Sequence, residues 1–283
     1  MKIIFSEECL KYSAPGHPES PDRVRSTSQF LLEKGFDFTS PVPCTDDDIL
    51  LAHSSGLLDE VKGGKFFDLD TPALPDIYDH ARLSAGAAIE AAKACLKGEK
   101  AFSLMRPPGH HATRNNLGGF CYFNSIAIAS LKMKERVDRV AIVDFDCHHG
   151  NGTEDIFLGR EDFFYLSLHQ SPLFPGTGLT SRDNCLNYPL HAGIKPDEYL
   201  SVFAEGLKKV EGFNPDLLAV SAGFDSYSRD PITNLNLELE SFKEIGAMLS
   251  GMKRPTFAVL EGGYSSDLAE CIYMFLTGLE NGR

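Results

Sequence analysis

Short runs of β-branched and apolar residues alternate with longer amphipathic stretches along the 283-residue chain. Apolar runs of four to eight residues bounded by turn residues mark strands buried on both faces. Apolar positions recurring every three or four residues mark helices packed on a sheet. This reading predicts strands over residues 2–6, 101–104, 140–146, 163–168, 216–221 and 256–260. A Pro- and Gly-rich stretch, 12–25, runs into a helix that continues to residue 32, and a second helical stretch covers 45–61. Residues 63–75 form a loop carrying Asp68 and Asp70. The Ala-rich segment 76–97 is a helix whose small side chains permit close packing. Further helices are predicted over 120–134, 196–210 and 239–250, and from residue 267 onward. Strands alternating with helices specify an α/β fold with a mainly parallel sheet covered on both faces. No repeat, low-complexity tract or linker-like composition interrupts the pattern, so residues 1–283 are expected to form a single domain.

With 42% hydrophobic and 24% charged residues, the chain has the composition of a globular protein able to bury a sizeable core. The formal net charge of −13 argues against general nucleic-acid or anionic-membrane binding. It suits a cationic substrate, although solubility explains it about as well. The seven cysteines are scattered, with neither a C-x-x-C pair nor a disulfide framework, which points to a reducing compartment. The start, MKIIFSEE, is too short an apolar run for a signal peptide or a membrane span, so cytoplasmic residence is expected.

The densest chemistry lies in VAIVDFDCHHGNG (140–152). An apolar strand ends in Asp144 and Asp146, followed by His148, His149 and a Gly-Asn-Gly turn. Ligands of open α/β sheets sit outside the carboxyl ends of the strands, which is where these groups fall. Period-2 alternation turns Asp144, Asp146 and His148 one way and Phe145 and Cys147 into packing. Two carboxylates and an imidazole converging at a strand end suit a divalent metal with oxygen and nitrogen ligands. The bland alternative, a solvated polar cap, accounts for one such residue better than for four in six. Other strands also hand over to reactive groups: the strand ending near Leu104 leads to His110 and His111, that at Ser221 to Asp225, and that at Leu260 to Tyr264. In a parallel sheet these loops share one rim.

RPPGHH (106–111), GFCYFN (119–124), DFDCHHGNG (144–152), SLHQSPLFPGTG (167–178), SAGFDSYSRDP (221–231) and LEGGY (260–264) occur in that order. Together they resemble the zinc-dependent histone deacetylase family, which includes acetoin-utilisation proteins and acetylpolyamine amidohydrolases, over most of the chain from the HPESPDR segment at His17. The resemblance implies the arginase/deacetylase fold, a three-layer α/β/α sandwich. It implies that Asp146, His148 and Asp225 hold the metal, Zn²⁺ or Fe²⁺, leaving a position open for water and a substrate carbonyl. It makes His110 and His111 the acid–base pair and Tyr264 the oxyanion donor. Asp144 matches the partner of His110, and Asn151 falls where many relatives have an Asp beside the second histidine, so the charge on His111 differs from theirs.

The same resemblance places Gly119, Phe120 and Phe174 along the acyl-lysine tunnel, Asp70 at the rim gripping substrate backbone, and Arg23 in an internal exit channel. By themselves Phe120 and Phe174 read as core residues, and Arg23 reads equally well as a helix-start arginine in a surface ion pair. A potassium ion near Ser167, Asp144, Asp146 and His148 is a further implication. The expected substrate is an acylated lysine peptide or small acylated amine. Ile232, directly after Asp230-Pro231, replaces the acidic gatekeeper of polyamine-preferring relatives and leans away from acetylpolyamines without excluding them. A ureohydrolase reading lacks the second D-x-D cluster needed for a two-metal site. An inactive acyl-lysine-binding protein should have lost a ligand, a histidine or the tyrosine, and this chain retains them.

Overall fold

The computed structural model describes residues 1–282. Eight strands form one sheet: β1 (Lys2–Ile4), β2 (Asp37–Thr39), β3 (Ala101–Ser103), β4 (Val140–Asp144), β5 (Phe163–Gln170), β6 (Cys185–Leu190), β7 (Leu217–Ala222) and β8 (Thr256–Leu260). They run in the order β2-β1-β3-β8-β7-β4-β5-β6, and every neighbouring pair is parallel. β3, β4, β7 and β8 are buried at every residue. That explains why they read as unbroken apolar runs: helices cover both faces of the sheet.

One helical layer contains α1 (Pro21–Glu33), α7 (Pro196–Phe213), α8 (Leu239–Gly251) and α9 (Leu268–Asn281). The other is built from α2 (Asp46–Ala52), α3 (Ser55–Gly63), α4 (Ile77–Cys95), α5 (Ser125–Met133) and α6 (Asn151–Phe157). Helices α8 and α9 meet through Gly246 and Gly278. A Cβ on Gly246 would lie 2.6 Å from the Leu279 backbone nitrogen, so only a missing side chain permits the approach. Among the described residues, no helix is long and apolar enough to cross a membrane.

Several predicted elements are corrected. The helix expected over 120–134 begins only at Ser125. Phe120 has φ 69°, and the Asn124 side chain accepts from the Ala127 amide, capping the helix after the irregular segment. The stretch 45–61 is two helices, because Ser54 caps α3 immediately after α2 ends. The Gly-Asn-Gly turn opens directly into α6, and the edge strands β2, with no buried residue, and β6, with only three of six buried, carry too weak an apolar signal to be read from sequence.

Candidate active site

The strand order decides where the reactive loops go. β3, β8, β7 and β4 are neighbours, and from their carboxyl ends come His110 and His111, Tyr264, Asp225, and Asp146 with His148. Residues more than a hundred positions apart therefore meet over four adjacent strands, where the chain has skipped from one side of the sheet to the other.

Asp146, His148 and Asp225 each offer a donor atom, and these atoms lie within 4.8 Å of one another. His148 Nδ1 is 2.8 Å from Asp225 Oδ2 and 3.2 Å from Asp146 Oδ1. The aspartates are fully buried and the His148 side chain is 12% exposed. The Gly262 amide donates to Asp146 Oδ2 at 2.7 Å and the Cys147 amide to Asp225 Oδ1 at 2.8 Å, fixing both carboxylates from behind. Burial first, and then the charge of Asp146, raise Asp225 above the ordinary carboxylate value. Burial also disfavours charge on Asp146, but His110 and His148 hold it below that value. For His148 burial opposes protonation, yet its bonds to Asp146 and Asp225 lift it to about 10. Two buried carboxylates thus recruit a positive charge between them. The residues fit a divalent cation, with the His148 proton standing in for it. The three donors, all buried, form a group that could hold a metal ion.

Beside this triad, His110 Nδ1 is 3.1 Å from Asp144 Oδ2, and its Nε2 is 3.7 Å from Asp146 Oδ1. Burial disfavours its cation, but Asp146 and Asp144 raise it to about 10. The His111 ring lies 4.0 Å from that of His110, and its Nδ1 is 2.8 Å from Asn151 Oδ1. An amide oxygen only accepts, so Nδ1 carries the proton and the Nε2 lone pair is left free. Burial, followed by the charges of His110 and His148, pushes His111 well below the ordinary imidazole value. The carboxylates beside His110 favour its cation, whereas the surroundings of His111 favour the neutral ring.

A cavity of about 250 Å³ opens onto both histidines, Asp146 and His148. Gly119, Phe120, Leu173 and Phe174 wall it, with Tyr264 and Gly262 inside and Asp70 and Ile232 at its exposed edge. Phe174 meets His111 edge-on at 5.0 Å, and Phe120 meets Tyr264 at 5.9 Å. Gly119 (φ 56°) leaves room for the rings: a Cβ there would sit 2.9 Å from Phe174. Burial raises the Tyr264 hydroxyl well above its usual value, keeping it a donor.

Arg23 is not in a surface ion pair. It is 6% exposed, donates to the carbonyls of Gly263 and Glu261 at 2.6 Å each, and lies 4.7 Å from the Tyr264 ring centroid. Ser167 faces Asp144 in register across β4 and β5, with its hydroxyl 2.9 Å from His169 Nδ1. The ladder of β4 ends at Asp144, yet Asp146 and His148 still converge beyond it while Phe145 and Cys147 are buried.

Sequence reasoning passed over several participants. Leu173 and Gly262 line the cavity, and Tyr165 donates to Asp144 Oδ2 at 3.0 Å. Glu19, beside His17 in the Pro-rich segment, grips Arg106 with both oxygens at 2.5 and 2.7 Å. Tyr165 stands in an apolar strand where nothing distinguishes it from a core aromatic; Arg106 and Glu19 lie inside quoted motifs and were legible only as punctuation around them.

This arrangement has counterparts in known proteins. The Histone deacetylase domain description matches residues 17–279. The chain belongs to the histone deacetylase family. It is 39% identical to a protein called "Probable deacetylase" of Methanothermobacter thermautotrophicus, over 99% of this chain and 91% of that one. It is 37% identical to the Histone deacetylase-like amidohydrolase of Pseudomonas aeruginosa, over 89% of this chain and 74% of that one. The crystal structure of an acetylpolyamine aminohydrolase from Burkholderia pseudomallei superposes with a TM-score of 0.90 at 26% identity, covering 99% of each chain. This histone deacetylase family member is accordingly a deacetylase or amidohydrolase with a buried Asp-His-Asp metal site, and its α/β fold is that of its relatives.

Proposed function

We propose that the chain is a single catalytic domain that hydrolyses the N-acyl amide of an acylated lysine peptide or small acylated amine. The observation that carries this reading is one cavity lined by His110, His111, Tyr264 and two members of the metal triad, Asp146 and His148, with the third, Asp225, directly behind them. Zn²⁺, or Fe²⁺ with the same ligands, would be held by Asp146, His148 and Asp225, and when bound it polarises the amide carbonyl and acidifies water. His111, neutral and with Nε2 free, accepts the proton of the attacking water as the new C–O bond forms. Tyr264 donates to the oxyanion of the tetrahedral intermediate. His110 protonates the departing nitrogen as the C–N bond breaks, releasing a carboxylate and an amine. Asp144 and Asn151 hold the two rings in the tautomers these steps need.

The apolar walls of Phe120, Leu173 and Phe174 suit the unbranched alkyl chain of an acyl-lysine. At the mouth, Asp70 can accept from a peptide N–H, while Ile232 offers no attraction to a second ammonium. Arg23, behind Tyr264, would border an exit route for the carboxylate product. A potassium ion near Ser167, Asp144, Asp146 and His148 belongs to the same reading and predicts that activity depends on K⁺ over Na⁺.

The test is turnover of acetyl-lysine peptides and acetylpolyamines by protein loaded with Zn²⁺ or Fe²⁺. Peptide or simple acylamine cleavage exceeding polyamine cleavage is expected; the reverse order overturns the substrate preference, and no amide hydrolysis with either metal overturns the reading. Tyr264→Phe should keep one metal per chain and lose about 100- to 1,000-fold in kcat.

A further inference from the structure

Glu261 has no role in the chemistry just described, yet its side chain hydrogen-bonds the backbone of the histidine loop. It follows β8 directly and is fully buried. Its Oε2 accepts from the Gly109 amide at 2.7 Å and the His110 amide at 3.1 Å, while Oε1 accepts from the Ser221 hydroxyl at 3.1 Å. A buried carboxylate is tolerated only with such partners, here supplied by the loop after β3 and by the end of β7. The His110 carbonyl is fixed in turn by the Gly152 and Thr153 amides at the start of α6, at 3.0 and 3.1 Å. His110 is thus clamped at its nitrogen by Glu261 and at its oxygen by α6. The next residues continue the linkage: the Gly262 amide bonds Asp146, the Gly263 carbonyl bonds Arg23, and the Tyr264 amide bonds Asp230 at 2.8 Å.

We propose that Glu261 is a positioning residue that locks the backbone of His110, setting its imidazole in register with Asp144, the metal ligands and Tyr264. The inference rests on the reading of His110 as a catalytic acid. The clamp itself is made by hydrogen-bond acceptance, which separates the variants of Glu261. In Glu261→Gln the amide oxygen takes both backbone N–H groups and the NH₂ faces the Ser221 hydroxyl, so the clamp survives. Glu261→Leu keeps the bulk and removes both acceptors.

The experiment combines kinetics on an acetyl-lysine peptide, metal content, and amide NMR of the full-length protein. In the wild type, the Gly109 and His110 amides should be shifted downfield and exchange-protected. Glu261→Leu should lower kcat by about tenfold or more with KM within about twofold and one metal per chain, while Glu261→Gln stays within about threefold of wild type. Unprotected Gly109 and His110 amides in the wild type overturn the proposal, and this readout stands even if Glu261→Leu fails to fold. A tenfold loss in Glu261→Gln, or a folded Glu261→Leu with wild-type kcat, also overturns it. A wild-type protein with protected amides and no hydrolase activity would instead sink the functional reading while leaving the clamp intact.

Discussion

Gly262→Ala isolates the demand the metal site makes on its surroundings. Gly262 needs no unusual backbone angle, so alanine is conformationally allowed there and the perturbation is steric alone. The added Cβ would lie 2.5 Å from Asp225 Oδ2 and 2.6 Å from Asp146 Oδ2, against an ordinary contact near 3.4 Å. Each carboxylate oxygen, or the β8 loop, must retreat by roughly 0.8–0.9 Å, several times the ~0.2 Å tolerance of metal–ligand distances. Overpacking of this kind costs about 1–3 kcal/mol, which, if it falls on the bound state, weakens metal affinity by about 5- to 150-fold. Competition with a chelator of known affinity measures that factor, and metal content after dialysis, kcat and Tm complete the assay. Gly212→Ala is the control: nothing lies within 4 Å of its Cβ, and in helix α7 it should stabilise by about 0.5–1 kcal/mol with metal binding unchanged. A Gly262→Ala protein with wild-type metal affinity and wild-type kcat would refute the inference that the glycine exists to admit the carboxylates.

Asp225→Ala should abolish stoichiometric metal after dialysis, because it deletes one of three ligands and leaves His148 with a single carboxylate; retention of one ion per chain would remove Asp225 from the site. Stability should fall on acidification through His53, whose Nδ1–H donates to the Thr113 carbonyl and whose Nε2 accepts from the Asn124 amide, both at 2.8 Å. Burial lowers it to about 4, so its neutral form contributes fully above the unfolded value near 6.5 and that contribution, about 3 kcal/mol in all, is lost as pH falls towards 4. Urea titrations at pH 7 and pH 5 should therefore differ by about 2 kcal/mol more in the wild type than in His53→Gln, and equal differences would contradict the assignment. Tyr165→Phe, which removes one of the bonds to Asp144, should lower kcat about tenfold without releasing metal; unchanged turnover would make the hydroxyl a packing accessory.

The central strands were the most legible elements, since β4, β7 and β8 lie between helices and need apolar residues on both faces. Edge strands β2 and β6 escaped because they are not buried along their whole length and need no unbroken apolar run. The helix predicted from residue 120 failed because GFCYFN is apolar for another reason. Its residues wall a cavity and pack under a loop, and Phe120 takes a backbone conformation that periodicity cannot register. Asp146, His148, Asp225, both histidines and Tyr264 stood out by their recurrence at strand ends, and their roles followed from the family resemblance. Glu261 and Tyr165 were not, because a buried acid or tyrosine gains its meaning from partners on other strands.

The amino-acid pattern by itself determined the class of fold, the strands that carry chemistry, and the donor types available at each strand end, because alternation and residue chemistry are local properties. Tertiary structure decided the rest. The order β3-β8-β7-β4 brings four distant loops over one cavity. Burial lowers both adjacent histidines, but the carboxylates of Asp146 and Asp144 raise only His110, which drives the pair apart. The hydrogen bonds that hold His110, Asp144 and Asp146 come from residues far away in the chain. Field and geometry at a site depend on everything packed around it, and no single stretch of sequence contains that information.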